Sequence, residues 1–442
     1  MTECYQGVLD FGRCQRRMVT ADFSGGDISS DGGVRLLQEV DRRTGLVAAM
    51  ARAMGDSRRQ ASCDHRLVSL LRQRVFALAL GCEDVNDHDH LRHDGALQTA
   101  CGRVETLGSS STVGRVERRA DRSAAWALHR VLMEQFIASF AKVPDTLILD
   151  FDATDDPVHG KQEGRFFHGY YDHYCFLPLY VTCGDQLLVS YLRPANIDAA
   201  RYAWAILALL VKRLRQTWPE VRIIFRGDSG FCRWRMLRWC EDHDVGYIVG
   251  IAKNERLLDK AAPLMRTAKE RFEASGEYQR HFCQVAYATS SWGRLRPVII
   301  KAEHSDKGEH SDKGENPRFV VTNLDGDPQA LYEKLYCARG DMENKIKRQF
   351  QLFSDRTSCH AWWANQFRLL LSSCAYVLVD ALRQIGLRGT ALAKAEVQTI
   401  RLQLLKIGAA IVRNTRRIRF LLSSSYPRQA LFVRVVANLE SG

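Results

Sequence analysis

No two cysteines of this chain stand in C-x-x-C spacing, and the 13 present are odd in number. That pattern argues against both a zinc knuckle and a disulfide framework and fits a reducing cytoplasm. No apolar signal core follows the opening "MTECYQGVLDFGRCQRR". Nor does any later stretch approach the roughly 18 uninterrupted apolar residues of a membrane span, so neither secretion nor membrane insertion is expected. No single short motif names a chemistry.

What the chain does have is bulk and positive charge. Its 442 residues, 46% hydrophobic, suffice for a large core and for two to four domains by length. The formal net charge of +12, carried by 63 lysines and arginines spread over most segments, favours a polyanionic partner.

The texture changes several times along the chain. Residues 1–144 read as helical and Arg-rich: "VRLLQEVDRRTG" follows a helix start at Ser30 or Asp31, and Leu67, Leu71, Val75 and Leu78 form the apolar stripe of a second helix ending at Gly81. Residues 145–254 alternate strands and helices, with a hairpin turn at Cys183-Gly184-Asp185. The order is α/β in character and resembles a ribonuclease H-like catalytic core. Residues 255–327 read as a β-rich insertion, within which "EHSDKG" occurs twice in tandem (303–314) as a loop duplication. Residues 328–395 return to helices as the second part of the core, and 396–442 form a basic helical C-terminal region containing Arg413, Arg416, Arg417 and Arg419.

Three acids in three settings suit one metal-dependent site for phosphoryl transfer on nucleic acid. They lie in "TLILDFDATDDP" (146–157), "RIIFRGDSGF" (222–231) and "LYEKLYCARGDMENKIKRQF" (331–350). Alternation along the first strand puts Asp150 and Asp152 on one face; both are eligible, and Asp152 is preferred because it lies nearer the strand end. Asp155 and Asp156 fall in the following turn as caps or solvated groups. Asp228 ends the second strand, with Ser229 as cap for the next helix. Acids at neighbouring strand ends can share hard cations, and two such ions activate an attacking oxygen and stabilise a leaving one. Each aspartate alone is equally a common turn former. In the third segment Tyr336, Arg339, Glu343 and Lys347 fall within about 80° of one helix face, an inward polar stripe. The ordinary alternative there is a solvated face with a Glu343–Lys347 pair at i,i+4.

These residues resemble the DDE transposases of bacterial insertion sequences, the cut-and-paste group with a Tyr-Arg-Glu-Lys signature, and most nearly insertion-sequence family 1380. Further matching segments are "SGGDISSDGG", "CEDVNDHDHLRHD", "FFHGYYDHYCFLPL", "RTSCHAWWANQFRLLLSSCAYVLV" and "IRLQLLKIGA". The resemblance implies a catalytic, metal-binding triad of Asp152, Asp228 and Glu343 holding two magnesium ions, for which manganese can substitute. Tyr336, Arg339 and a lysine would assist at phosphate. The signature's lysine belongs seven residues after the glutamate, where this chain has Phe350, so Lys347 is the candidate. It further implies cleavage at transposon terminal repeats and strand transfer into target double-stranded DNA, a homodimer in the DNA complex, and nucleoid association when bound. Relatives with an inserted β domain stack a displaced base on an aromatic residue, which points to Trp292; core packing is the alternative.

Other signals carry less. "GDSG" at 227–230 lacks the context of a serine-protease nucleophile loop, and the two Arg-Gly-Asp tripeptides are chance matches. His88, His90 and His93 follow no zinc spacing. Arg115, Arg118, Arg119 and Arg122 read as the exposed side of a helix at 109–122, suited to DNA phosphates or simply solvated. A nuclease of the same fold without strand transfer, and a DNA-binding derivative without catalysis, are the competing functions.

Overall fold

The structure, a computed structural model, describes residues 7–305 and 317–441. Most of the tandem "EHSDKG" repeat lies outside the described residues. The chain divides into two compact units: residues 1–128, 351–353 and 371–442 make one, and residues 129–350 with 354–370 make the other.

In the first unit the helices Val34–Thr44 and Leu67–Leu80 match the apolar stripes, and the second is buried along nearly its whole length. The cap of the Val34 helix differs from expectation. Gly33 occupies it, because the chain here runs so close to the backbone of Leu404 that a Cβ at Gly33 would lie 1.9 Å from the Leu404 carbonyl oxygen. Asp31 is instead buried and ion-paired with Lys406 at 2.7 Å. The N-terminal region is also less helical than its sequence suggests, since it begins with a hairpin of Leu9–Cys14 and Arg17–Ala21. The C-terminal basic run is likewise a hairpin, Ala409–Arg413 paired with Ile418–Leu422, before the final helix Gln429–Glu440. Asn414 makes that turn by accepting the amides of Arg416 and Arg417 on its side chain. This local bond and the alternation of "AAIVR" outweigh the helical tendency of the arginines.

The second unit is a mixed α/β body built on one open eight-stranded sheet. From one edge its strands are Gln279–Tyr287, Arg296–His304, Arg318–Thr322, Gly246–Gly250, Arg222–Gly227, Thr146–Ala153, Leu179–Cys183 and Gln186–Tyr191. The Arg222 strand is parallel to both the Thr146 and Gly246 strands, and every other pairing is antiparallel. Period-two alternation sorts the side chains onto two faces. Leu147, Leu149, Phe151, Ile223 and Phe225 enter the larger core, which also takes buried residues of the helices Ala203–Thr217, Trp234–Asp242 and Glu255–Ser275. Ile224, Ile248, Val320 and Tyr332 form the core of the opposite face, with Ile148 packed against it.

The stretch 255–327 is not a β body set apart from the core. It opens with the 21-residue helix Glu255–Ser275, and its three strands extend the same sheet through the antiparallel pairing of Arg318–Thr322 with Gly246–Gly250. Strand composition reveals alternation but not the partner edge, which is why the sequence reads as a separable insertion. Among the described residues one stretch, Trp362–Gly386, has the length and composition to cross a membrane, but 78% of its apolar window is buried within the protein, as in a core helix.

Candidate active site

The Thr146 and Arg222 strands carry opposite charges at equivalent positions. Asp150 stands opposite Arg226 in the parallel register. The guanidinium closes on the carboxylate through Nε and, at 2.7 Å, through Nη2, while Lys345 Nζ approaches at 3.9 Å. Arg226 Nη1 also donates to the Leu335 carbonyl, tying the strand to the segment that crosses this face. All three charged groups are buried. Asp150 is therefore a structural ion-pair member. The signal was legible but missed: a buried charge two residues before each strand-end aspartate, acidic in one strand and basic in the other.

Two residues further along each strand come Asp152 and Asp228, the next rung by extension of that register. Arg339 Nη2 lies 3.5 Å from Asp152 Oδ1 and 3.6 Å from Asp228 Oδ2. The Asp152 side chain keeps only 16% of its surface. Burial pushes its carboxyl up to about 6; the Arg339 charge opposes the rise and the Asp228 charge adds to it. Asp228, not Ser229, caps the short 3₁₀ turn Ser229–Phe231, accepting the Gly230 amide at 2.9 Å.

The third segment does not keep the regular helical phase assumed from its sequence. Leu331–Tyr336 is a π-helical turn and Cys337–Arg339 a 3₁₀ turn, and only Gly340–Phe350 is α-helical. A π turn alters the angular step and so breaks the phase between residues before and after it. The inward stripe is accordingly divided. Tyr336 packs against the apolar core of this sheet face, and its hydroxyl is pushed up chiefly by burial, with the nearby charges of Arg339 and Asp228 acting in opposite senses. Arg339 faces the two aspartates, and its Nε is buried without a hydrogen-bond partner. Glu343 turns outward, 73% exposed, and pairs with Lys347 at 2.9 Å. That bond and the Lys347 charge hold its carboxyl below the usual range, with a smaller contribution from Arg339. The helix buries Met342, Lys345, Ile346 and Gln349 instead.

Two carboxylates, one half-exposed and one desolvated, converge on a single guanidinium in the place where a cation would offset their charge. Their hard oxygen donors fit a divalent ion. Glu343 does not join them in this arrangement, and no group of three metal-ligating side chains occurs among the described residues.

The chain matches the model of a family described as transposase DDE domain group 1 over residues 11–441. The chain belongs to that family. No curated protein matches. Among solved structures, a cryo-EM structure of a piggyBac transposase synaptic complex with hairpin DNA aligns over 85% of this chain and 80% of its own, at 11% identity and a TM-score of 0.40.

The other expected site residues of this DDE transposase family member are scattered. Arg115, Arg118 and Arg119 are exposed on the helix Ser110–Arg119, whose inner side buries Glu117 against Arg74 at 2.8 Å. Arg416 and Arg417 are exposed at the tip of the C-terminal hairpin, while Arg413 is held by Asp27 at 3.5 Å and the Val104 carbonyl at 2.9 Å. Trp292 requires correction as a stacking residue. It is 6% exposed within the core, edge-on to Tyr287 and covered by the Arg296 guanidinium 5.2 Å from its ring centre. Asp155 and Asp156 are more than solvated turn residues: Asp155 binds His173 at 2.8 Å, and buried Asp156 accepts from Thr357 at 2.7 Å. His88 is buried against Gln73.

Proposed function

We propose that the protein is a cut-and-paste transposase of the insertion-sequence 1380 type, cleaving DNA at transposon ends and joining the freed 3′ hydroxyl to target DNA. The observation that carries this reading is the convergence of Asp152 and Asp228, from the ends of adjacent parallel strands, on Arg339. The order of the five strands running from Gln186–Tyr191 to Gly246–Gly250, with its central parallel pairs, supports a ribonuclease H-like core.

In this reading Asp152 and Asp228, joined by Glu343, would hold two magnesium ions, whose chemistry would be to activate an attacking oxygen and stabilise a leaving one. The protein's own groups prepare that site. Burial of Asp152 makes its charge costly without a neighbouring cation, and the Arg339 guanidinium supplies one. Arg339 has an unused Nε donor for a phosphate oxygen, and the Tyr336 hydroxyl borders the Asp228 turn, since a Cβ at Gly250 would meet both. Glu343 follows Arg339 by four residues, and opening of its exposed pair with Lys347 would be required for it to join the site and would leave Lys347 free for phosphate. Arg115, Arg118, Arg119, Arg413, Arg416 and Arg417 supply DNA contacts that position without specifying sequence. The working form is a homodimer on DNA in the cytoplasm, at the nucleoid.

The test is strand cleavage by the purified protein on duplex carrying the DNA that flanks its gene, with magnesium. Asp152→Asn, Asp228→Asn and Glu343→Gln each lose nicking while retaining end binding. Full nicking by Glu343→Gln removes it from the triad. A precleaved end that is never joined to plasmid identifies a nuclease instead.

A further inference from the structure

The strand that pairs with the Asp152 strand carries a tyrosine in register with that acid. Tyr180 stands opposite Asp152 in the antiparallel pairing, so both side chains leave the same face of the sheet. Tyr180 is 1% exposed, and among the described residues its hydroxyl has no hydrogen-bond partner. A buried phenol ordinarily finds one. The Ser354 hydroxyl is its neighbour, on a residue equally buried and also without a hydrogen bond.

Two carboxylates share these surroundings. Asp156 follows Asp152 by four residues, pairs along the backbone with Phe176 and is 1% exposed. Its Oδ2 accepts from Thr357 at 2.7 Å, while its buried Oδ1 accepts from nothing among the described residues. Asp355, two residues before Thr357, likewise has a buried Oδ1 without a hydrogen bond, which Arg356 Nε approaches only to 4.0 Å. The charges of Asp156 and Asp355 both act on Tyr180, and that of Asp355 acts on Asp156. Burial pushes the Asp156 carboxyl up to about 7; the Thr357 bond opposes the rise, and the Asp355 and Asp155 charges add to it.

A desolvated carboxylate needs a proton or a cation. A proton shared by the two carboxylates satisfies at most their own two oxygens and does nothing for the hydroxyls. Water can serve orphaned polar atoms, but it brings no charge against two acids. A hard cation engages all four oxygens at once. Around an ion with metal–oxygen distances of about 2.4 Å, neighbouring ligand oxygens stand roughly 3.4 Å apart or more, so they do not hydrogen-bond to one another. Two carboxylates with two neutral hydroxyls match a divalent charge. Asp156, Tyr180 and Ser354 are closed to solvent and only Asp355, with 30% of its side chain exposed, reaches it, which favours a calcium-sized ion over magnesium, an ion reluctant to shed its water.

The geometry points to a further cation site, separate from Asp152 and Asp228, in which Asp156, Asp355, Tyr180 and Ser354 hold a hard divalent ion of calcium's size. Such an ion ties the segment leaving Asp152 to the strand opposite it and to residues 354–357. The inference does not depend on the transposase reading.

The full chain carrying Asp152→Asn and Asp228→Asn, which removes the candidate active-site carboxylates, is dialysed against calcium. It retains one calcium per chain, and its unfolding midpoint rises with calcium concentration. Adding Asp355→Asn, at a partly exposed position, weakens calcium binding by about 10- to 100-fold. Asp156→Asn does the same and raises the calcium-free midpoint, because it removes a desolvated charge; where that variant does not fold, Asp355→Asn decides by itself. Tyr180→Phe, which loses one neutral ligand, weakens binding less. Failure to bind calcium at millimolar concentration overturns the site, as does an affinity unchanged by Asp355→Asn. A midpoint that responds to pH through Asp156 and not to calcium gives the place to a proton and also overturns it. Wild-type protein that nicks no DNA while the calcium results hold overturns the transposase reading and leaves this site standing.

Discussion

Asp150 and Arg226 form a buried two-pronged ion pair one rung beneath Asp152 and Asp228. The pair separates two aspartates that the strand alternation alone leaves equivalent. Asp150 is engaged by Arg226 and Lys345, whereas among the described residues Asp152 has the Ala153 amide and the shared Arg339. Removing one member of a buried pair leaves the other charge uncompensated, at a typical cost of about 3–5 kcal/mol.

Asp150→Asn therefore lowers unfolding stability by about 3 kcal/mol, the lower end of that range because the amide keeps one acceptor oxygen for Arg226. Asp152→Asn removes a desolvated charge and leaves stability unchanged or higher, yet abolishes nicking. Urea unfolding and strand cleavage on both variants check the division. A stable, inactive Asp150→Asn beside an active Asp152→Asn reverses the assignment.

Gly250 gives a second prediction. It ends the strand next to Asp228, and a Cβ there would come within 2.6 Å of the Tyr336 hydroxyl and 3.0 Å of the Ser229 amide nitrogen. The backbone cannot yield cheaply on the side of Ser229, so Tyr336 is displaced. Gly250→Ala cuts cleavage by at least tenfold, since small misplacements of a positioning group carry large rate costs. In a Tyr336→Phe background, which lacks the clashing hydroxyl, Gly250→Ala costs less cleavage than it does in the wild type. Equal activity of Gly250→Ala and wild type contradicts the placement of Tyr336.

Trp292 is a core residue, and its variants distinguish packing from base stacking. Trp292→Ala opens a cavity beside Tyr287 and uncovers Arg296, costing about 3–5 kcal/mol as large-to-small aromatic substitutions do. Trp292→Phe keeps most of the volume and retains cleavage and DNA affinity. A folded Trp292→Phe that has lost DNA affinity at full stability would contradict the buried placement.

The parts of this site that follow from local rules are visible in the sequence, and those that depend on phase or on partners are not. The Asp152 and Asp228 strands are apolar runs ending in an acid, and the Cys183-Gly184-Asp185 turn announces its hairpin, because strand alternation and turn chemistry act within a few residues. The stripe through Tyr336, Arg339, Glu343 and Lys347 assumes a constant helical step, which the π turn at Leu331–Tyr336 breaks. No propensity scale marks that turn; the Arg226 bond to the Leu335 carbonyl, made across 109 residues, accompanies it. The strands after residue 278 alternate legibly, but only pairing decides that they lengthen the catalytic sheet. Trp292 between strand-like segments carries no sign of which way its ring turns.

The final prediction concerns acid. His88 is fully buried, and Gln73 Nε2 donates to its Nδ1 at 3.0 Å while also donating to the Gly108 carbonyl at 2.7 Å. Protonated imidazole would place a second donor against that amide, and its Nε2 has no acceptor. Burial, reinforced by the Arg74 charge, accordingly depresses its pKa to about 3. A histidine depressed in the native state binds its proton only on unfolding. The unfolded chain therefore holds more protons than the native one between about 3 and the ordinary value near 6.5, and stability falls as pH is lowered through that window. The steepest loss from this one group is about 1.4 kcal/mol per pH unit. Burial raises Asp152 and Asp156 and tilts the same window the opposite way, so the informative quantity is the difference between wild type and His88→Gln. From pH 7 to pH 5 the wild-type unfolding midpoint drops by more than that of His88→Gln, whose neutral amide has no proton to gain. Parallel midpoint curves for the two proteins would show that His88 is not held neutral by its surroundings.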